Sequence, residues 1–448
     1  MKIGYFWFES ESPVQGAIEY DSIGNGKLML LSLPTKAVPL SFVYSSLFGH
    51  LNDGQSITIP NAIYSQQKMG SNNLISHEFR FESIIENMTG VSISEKHTTK
   101  VRIAFTGLID WAKNSGFSLE IRSENSVDVS YKKSNDKVFE CKNFNVVIST
   151  DAAFSFDGTN HSRNEYSFLE LHYNNPVLIE SARKDCMIIF KLFEFLIDRP
   201  ANIQSIDFLD PLKESNPDGL DRYAHLKARH HFRIVETPIP GYHEMWLLLS
   251  DVESSLSVMI DNWFDFMNNN DDIYDLYYQV LTKDMKYGYR IIWNLTQCIE
   301  GLHRRLIKKP KYLTPEEFKT ISDKLYAVLD DCLPVDATCL APFKGKISFM
   351  NEMTLRSRLE TIMNDFHWLN LLDDEMLQAA VRTRDYTTHF DEKLKSKKIE
   401  HSEIPKIAKG LYAMFQTMVL NQISDCPANC RKFSEVTRIN GMSGFLFY

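Results

Sequence analysis

An arginine, an aspartate and a histidine that stand close together in the chain could carry out phosphate chemistry. They are Arg384, Asp385 and His389, within the segment AVRTRDYTTHFDE at 380–392. Histidine titrates near neutral pH and can serve as a general base or a general acid. Arginine keeps its charge and can hold two phosphate oxygens at once. These residue types suit cleavage of RNA, in which the 2′-hydroxyl is the nucleophile and no metal ion is required.

The spacing of Arg384 and His389 decides how the two side chains could meet. Five residues of an ideal α-helix separate side chains by about 140° around the axis. The pair could flank a shared cleft, or the helix could break near Thr387 and Thr388. A two-fold dimer could also bring two copies of the motif face to face and supply one histidine as base and one as acid. The structural alternative is an exposed helix face that carries an Arg–Asp pair.

The elements that would position the motif are helical. From residue 251 onward, apolar residues recur with the period of an α-helix, as at Val252, Leu256 and Met259. Thr314-Pro315-Glu316-Glu317 is typical of a helix start, with an N-cap, a proline in the first turn and two acids. Further helices are predicted over roughly 350–369, 373–395 and 403–424. We therefore expect residues 251–448 to form an all-α bundle.

The preceding residues, 1–250, predict a β-rich domain. Short β-branched or aromatic segments alternate with turn residues, as in KLMLLSL, SITIP, FRFESI, VRIAF, FSLEIRS and FNVVIST. IGNG at 23–26 and LNDGQ at 51–55 are typical of hairpin connections. One helix is predicted at 181–198, and MWLLLS near residue 250 has the character of a strand. We expect a sandwich-like or curled sheet, which makes the fold class multidomain α+β.

Composition and charge limit the classes of function. The chain has 448 residues, of which 44% are apolar and 24% charged, as is ordinary for a protein of two or three domains. Its formal net charge of -9 argues against a broad electrostatic footprint on duplex DNA or an anionic membrane. No apolar run approaches the ~20 residues of a membrane span. The N-terminal segment MKIGYFWFESESP has acids where a signal peptide needs an apolar run, so we expect a cytoplasmic protein.

Other clusters of reactive or charged residues point less clearly to function. The seven cysteines are scattered; only Cys426 and Cys430 are close, and without a second pair at ligand spacing no metal or cofactor is predicted. The basic, histidine-rich stretch at 222–233 is interpreted as exposed surface, with RNA contact as the alternative. HRRLIKKPK at 303–311 is interpreted as cations at a helix end. Gly24-Asn25-Gly26-Lys27 lacks the spacing of a phosphate-binding loop.

The motif and the N-terminal half both resemble known proteins. Arg384-Asp385-Tyr386-Thr387-Thr388-His389 resembles the R-x4-6-H motif of HEPN ribonucleases, in which a polar residue commonly follows the arginine. Asp385 stands where asparagine is common, which could change the affinity for phosphate. The N-terminal half resembles that of the ApeA family of HEPN proteins of bacterial anti-phage defence. The stretches that carry this second resemblance are GYFWFESESPVQGAIEYD (4–21), LFGHLNDGQSITI (47–59) and IAFTGLIDWAKNSG (103–116). With NWFDFM (262–267), which opens the helical part, the likeness covers nearly the whole chain.

This resemblance implies a toxic, metal-independent endoribonuclease of abortive infection, with Arg384, Asp385 and His389 as catalytic residues at a dimer interface. The implied partners are RNA (tRNA or another host RNA), a phage-derived trigger and a second copy of the chain, in a homodimer or higher even oligomer. Residues 1–250 would sense or regulate, and residues 251–448 would cleave. One alternative is a non-catalytic HEPN protein that binds RNA or a partner, although the intact arginine and histidine favour the enzyme. Another is an antitoxin-like nucleotide-binding protein, which would predict a neighbouring toxin gene.

Overall fold

The computed structural model describes most of the chain. The described residues are 1–8, 11–21, 24–32, 42–69, 75–88, 96–123, 126–156, 161–209, 223–228, 245–282, 288–306, 311–334, 338–367 and 372–424. The chain divides into two compact units, 1–264 and 265–448. The boundary expected from the sequence, between residues 250 and 251, stands earlier in the chain than this division.

The first unit consists mainly of antiparallel strands. Its described strands are β1 Lys2–Phe8, β2 Val14–Tyr20, β3 Gly26–Leu30, β4 Val43–Leu51, β5 Ser56–Met69, β6 Ile75–Phe81, β7 Ser83–Glu86, β8 His97–Phe105, β9 Phe117–Ser123, β10 Ser126–Tyr131, β11 Lys137–Glu140, β12 Phe144–Phe156, β13 His161–Leu178, β14 Ile203–Leu209 and β15 Tyr223–Ala228. Its helices are α1 Leu108–Ala112, α2 Ile179–Ile197 and α3 Leu249–Val252. The helix expected at 181–198 corresponds to α2.

Part of the sheet closes into a barrel. The strand order β5–β4–β1–β2–β3–β6 returns to β5, because β5 pairs with β4 along one edge and with β6 along the other. Strand β5 has 14 residues, and its register with β6 shifts between Tyr64 and Gln66. Such a bulge bends a strand and increases its twist. Apolar side chains fill the interior, among them Phe6, Leu47 and Phe79, which are fully buried.

Most of the remaining strands form an open extension of the barrel, while β9 and β10 pair as a separate two-stranded sheet. Strand β7 pairs with the start of β5 and with β15, and the sheet then continues as β15–β14–β8–β13–β12–β11. Helix α2 packs on β8 and β13, where the rings of Phe190 and Phe193 contact Phe105. The β-rich prediction is confirmed, and of the two expected forms, a sandwich-like or a curled sheet, the strands adopt a curled sheet that closes into a barrel. Alternation of apolar residues shows which side of a strand is buried and does not show which edges pair.

The segment MWLLLS does not form the expected strand. Met245, Trp246 and Leu247 are buried in an irregular segment that leads into α3 at Leu249. The backbone N–H of Leu247 donates to the carbonyl of Leu196 at 2.8 Å. A short apolar run is compatible with a strand or with another buried segment, and periodicity alone does not separate the two.

The second unit is helical, as predicted. Its described helices, the first of which begins in the preceding unit, are α4 Leu256–Leu281, α5 Gly288–Leu306, α6 Pro315–Cys332, α7 Leu340–Phe349, α8 Leu355–Asp365, α9 Asp374–His389, α10 Glu392–Lys395 and α11 Ile404–Ile423. Helix α5 packs against α8, α9 and α11, with Leu295, Ile299 and Leu302 buried. Helix α6 begins at the expected capping residue, Thr314, whose Oγ1 accepts from the N–H of Glu317 at 3.3 Å. Within the described residues, no helix is both long and apolar enough to cross a membrane.

Candidate active site

The predicted motif lies at the C-terminal end of α9. Asp373 caps the start of this helix by accepting from the N–H of Met376 at 2.8 Å, and two further acids in the first turn favour the positive end of the helix dipole. The helix continues without a break through both threonines. The hydroxyl of Thr388 donates to the carbonyl of Arg384 at 2.8 Å, and that of Thr387 donates to the carbonyl of Thr383 at 2.9 Å. The threonines therefore satisfy their hydroxyls within the helix and do not disrupt it.

Two carboxylates hold the guanidinium of Arg384. Its Nη2 donates to Oε2 of Glu300 on α5 at 3.0 Å, and its Nη1 donates to Oδ1 of Asp385 at 3.0 Å. The Arg384 side chain is only 21% exposed. Its buried Nε has no hydrogen-bond partner. Arg384 is therefore oriented by its neighbours and retains an unused donor at Nε.

Glu300 is shared between two arginines. Its Oε1 accepts from Nη2 of Arg304 at 3.0 Å, while Nη1 of Arg304 donates to Oε2 of Glu352 at 3.0 Å. Burial opposes the charge on Arg304, but the hydrogen bonds to Glu300 and Glu352 outweigh it and raise the pKa of this guanidinium. The motif arginine thus belongs to a chain of alternating arginines and carboxyl groups that joins α9 to α5.

A buried arginine and histidine lie beside this chain. Arg358 on α8 is fully buried, and its Nε donates to the carbonyl of Met353 at 3.0 Å. Its Nη1 lies 3.2 Å from Nδ1 of His303, so Nδ1 is the acceptor and Nε2 carries the proton. Burial, and next the charge of Arg358, lower the pKa of His303. His303 is therefore a neutral histidine at physiological pH.

His389 occupies a different environment from Arg384. It is the last residue of α9 and is exposed. In the described part of the chain, no hydrogen bond joins it to Arg384 or Asp385. Because α9 is continuous, the two side chains project about 140° apart around the helix axis. The structure thus brings Arg384 and Asp385 together within one copy of the chain and leaves His389 open at the surface.

Neighbouring elements fix the position of α9. The N–H of Ile399 donates to Oγ1 of the fully buried Thr383 at 2.9 Å. The indole Nε1 of Trp293 on α5 donates to Oγ1 of Thr388 at 3.2 Å. Sequence reasoning did not identify Glu300 or Trp293, because both lie on a helix distant in the chain. The acid within CIEGLHRR, Glu300, is the one local feature of the sequence that could have indicated the contact with Arg384.

The other sequence candidates have structural partners or lie outside the described residues. His225 pairs with Asp207 at 2.6 Å, while most of the stretch 222–233, and also Cys426 and Cys430, are outside the described residues. In the charge run at 303–311, Arg305 binds both carboxylate oxygens of Asp272, at 2.8 and 2.7 Å. Among the described residues, no group of three His, Cys, Asp or Glu could hold a metal ion.

Comparison with known families defines the class of the helical unit. Residues 293–424, which contain the motif and Glu300, match the Apea-like HEPN family. Residues 1–263 match the family described as ApeA N-terminal domain 1. The chain therefore belongs to the ApeA family of HEPN proteins. HEPN domains are generally ribonucleases, and this membership implies a nuclease-type role in anti-phage defence.

Other comparisons add little. No curated protein matches the chain. Among solved structures, the chain is similar to "MrkH, A novel c-di-GMP dependence transcription regulatory factor", at 10% sequence identity and a TM-score of 0.14. That match covers 43% of this chain and 85% of the other. A TM-score this low does not establish a shared fold.

Proposed function

We propose that this chain is a metal-independent endoribonuclease that acts in abortive infection. Arg384 would bind the phosphate to be cleaved, and Asp385 would hold Arg384 in the resting state. His389 would transfer protons. The observation that carries the proposal is the contrast within one helix. Arg384 is oriented by Glu300 and Asp385, while His389 stands exposed at the helix end, where a substrate can reach it.

The two carboxylates on Arg384 differ in exposure, which suggests how phosphate enters. The side chain of Glu300 is 11% exposed and that of Asp385 is 39% exposed. Water can solvate Asp385 after it leaves the arginine, whereas displacing Glu300 would strand a nearly buried charge. A phosphate oxygen therefore takes the place of Asp385 on Nη1, and Glu300 keeps Nη2 in position. Phosphate binding therefore replaces one anionic partner of the arginine, Asp385, by another, the substrate phosphate.

The reaction follows from the nucleophile already present in RNA. A histidine removes the proton of the 2′-hydroxyl, and the resulting oxygen attacks the adjacent phosphorus. The bond from phosphorus to the 5′-oxygen breaks, and this oxygen takes a proton from an acid. The products are a 2′,3′-cyclic phosphate and a 5′-hydroxyl. Arg384 stabilises the negative charge that develops on the phosphate oxygens.

A second copy of the chain would complete the site. One His389 cannot readily be base and acid in the same step, and it projects away from Arg384 of its own helix. Two motifs related by a two-fold axis would provide two histidines and two arginines around one phosphate. The assembly would be a homodimer or a higher even oligomer.

The remaining assignments follow from the family. The substrate would be a host RNA such as tRNA, cleaved in the cytoplasm. The β-rich unit would recognise a phage-derived trigger or restrain the nuclease until infection. Degradation of RNA would then arrest the cell before the phage multiplies.

Mixed assemblies test both the site and its sharing between copies. Wild-type chains are mixed with increasing amounts of His389→Ala chains, and RNA cleavage is measured in excess EDTA. A shared site predicts that activity falls more steeply than the fraction of wild-type chains. His389→Ala alone should be inactive, with unchanged stability because the residue is exposed. Wild-type cleavage rates in that variant would contradict the assignment of the site.

A non-catalytic, RNA-binding protein is the second candidate. It is favoured by the fact that both Nη groups of Arg384 are already bonded to carboxylates. It predicts RNA binding without cleavage by wild-type protein, and equal binding by His389→Ala. The same preparations distinguish the two functions when binding and product formation are measured together.

A further inference from the structure

A row of rings, with a lysine in its middle, runs along the surface from the end of α9. The rings of Phe390 and Tyr386 lie 6.0 Å apart, centroid to centroid. The ammonium of Lys398 is 5.2 Å from the centroid of Tyr386 and 4.4 Å from that of Tyr289. The ring of Tyr289 lies 6.1 Å from that of His401. These five residues are here called the ring row. Its first ring, that of Phe390, directly follows His389 in the chain.

Phe390 is an unusual residue for its position. It ends α9 in the left-handed region, with φ 51° and ψ 34°, where glycine or asparagine is the common choice. A bulky aromatic residue adopts this conformation at a cost in energy, and such strained positions cluster at functional sites. Its side chain is also 71% exposed. Because most of Phe390 is open to solvent, its ring is available to a ligand.

The charge next to the ring row favours an anionic ligand. Between Phe390 and His401 the chain carries four lysines, at 393, 395, 397 and 398, and three acids, at 391, 392 and 400. Four positive and three negative charges give this segment a net charge of +1, although the whole chain has a formal net charge of -9. A polyanion with flat apolar groups would satisfy both the lysines and the rings.

We propose that the ring row binds unpaired nucleotides of single-stranded RNA beside the cleavage site. Bases would stack on Phe390 and Tyr386, and Lys398 would contact the backbone phosphate. Paired bases within a duplex cannot offer their faces to these rings, so the row selects single strands. This inference gives the substrate class of the proposed nuclease and therefore rests on the proposed function for its biological meaning.

Binding can be measured without cleavage. The probe is a fluorescent, single-stranded oligoribonucleotide whose 2′-hydroxyls are methylated, so that it has no nucleophile and is not cleaved. The same oligoribonucleotide paired with its complement serves as the duplex for comparison. Full-length wild-type protein should bind the single strand about tenfold more tightly than the duplex. Phe390→Ala should weaken single-strand binding about tenfold. The matched control is Phe349→Ala, which removes another phenylalanine of the same unit, 67% exposed at the end of α7, and should bind as wild type does.

The dependence of RNA binding on salt concentration distinguishes phosphate contacts from base stacking. Replacing Lys398 by Ala should weaken binding at low salt, and the difference should shrink as salt rises, because phosphate contacts are screened. The loss in Phe390→Ala should persist at high salt, because stacking is not ionic. Lys319→Ala, an exposed lysine on α6, is the matched control for charge.

A glycine variant excludes a merely structural role. Phe390→Gly should raise the melting temperature, because glycine adopts the left-handed conformation without strain, and should lower single-strand binding as Phe390→Ala does. Binding of both variants at the wild-type level would overturn the proposal. A weaker self-association of these variants, with RNA affinity per assembled protein unchanged, would also overturn it and make the ring row a contact between copies.

The outcomes for the ring row and for the nuclease are separable. Selective binding of the probe without any cleavage of natural RNA would remove the proposed function and leave the ring row as a single-strand site. Cleavage of natural RNA with no preference for single strands would contradict the proposed role of the ring row and would leave the proposed nuclease activity standing.

Discussion

Oε2 of Glu300 on α5 accepts a hydrogen bond from Nη2 of Arg384 on α9 at 3.0 Å, across 84 residues of sequence. Both side chains are largely buried, at 11% and 21% exposure. This pair makes the orientation of the motif arginine depend on the packing of α9 against α5. Because Glu300 also binds Arg304, a change at this carboxylate alters the environment of two cations.

The first prediction concerns this carboxylate. Glu300→Gln keeps the shape of the side chain but removes its charge, so Arg384 should lose its fixed orientation. We expect RNA cleavage to fall about tenfold and the free energy of unfolding to fall by about 1–3 kcal/mol, as measured by urea denaturation. Glu352→Gln is the control, because Glu352 binds Arg304 and is more exposed. Its effect on cleavage should stay within about twofold, and an equal loss in both variants would contradict the positioning role.

The second prediction separates the two arginines of the motif. Arg384→Ala should abolish cleavage, and Arg384→Lys should restore only a small part, because an ammonium cannot bind Glu300 and a phosphate oxygen through a planar fork. Arg382→Ala should keep most of the activity, since its half-buried side chain belongs to a different face of α9. Single-turnover cleavage rates check this order. Similar losses at both positions would mean that Arg384 has no special role.

The third prediction is a pH dependence of stability. The pKa of His303 is lowered from 6.5 in the folded state, because burial and Arg358 disfavour its charge. Its contribution to stability is therefore fully present above pH 6.5 and is lost as the pH falls from there toward the folded pKa, as the unfolded state takes up a proton. The slope should approach but not exceed about 1.4 kcal/mol per pH unit.

The variant His303→Gln isolates that slope. It should lower stability at every pH, because Arg358 loses its fit to the imidazole, but it should flatten the decrease between pH 6.5 and pH 5 relative to wild type. His367→Gln, which changes an exposed histidine, should keep the wild-type slope. Free energies of unfolding over this pH range provide the measurement, and parallel curves for wild type and His303→Gln would refute the assignment.

The fourth prediction concerns the β-rich unit by itself. Trp263 is fully buried, with its indole N–H donating to the carbonyl of Ile188 at 2.8 Å, and Phe264 contacts the ring of Phe144. A fragment ending at residue 250 lacks these contacts and should be unstable. A fragment of residues 1–270, which ends at the kink of α4 at Asn270, should fold cooperatively and show no nuclease activity. Circular dichroism melts and cleavage assays test both statements; cleavage by the longer fragment would contradict the division of roles.

The sequence was sufficient to predict those structural features that depend on residues close together in the chain. The glycines of IGNG and LNDGQ indicated turns, and Gly24 and Gly54 adopt φ of 82° and 85° there. The capping residues at 314–317 indicated the start of α6. The period of apolar residues indicated the helical bundle. Each of these features depends on residues within a few positions of one another.

Features that depend on residues distant in the chain, or on an uncommon residue type at a position, could not be predicted from the sequence. The sequence suggested one helix over 373–395, but α9 ends at His389 because Phe390, a residue with no capping preference, takes the left-handed conformation. The contact between Glu300 and Arg384 depends on the packing of α5 on α9, which no local pattern encodes. Closure of the barrel likewise depends on which strands meet the two edges of β5.

The central claim is that the 2′-hydroxyl of RNA attacks the phosphate held by Arg384, with His389 transferring protons. Analysis of the product ends tests it most directly: purified wild-type protein and total RNA are incubated in excess EDTA, and both ends of the fragments are identified by enzymatic labelling. We predict 2′,3′-cyclic phosphate and 5′-hydroxyl ends in wild-type reactions and no products with His389→Ala. An absolute requirement for Mg²⁺ with 5′-phosphate ends would contradict the claim.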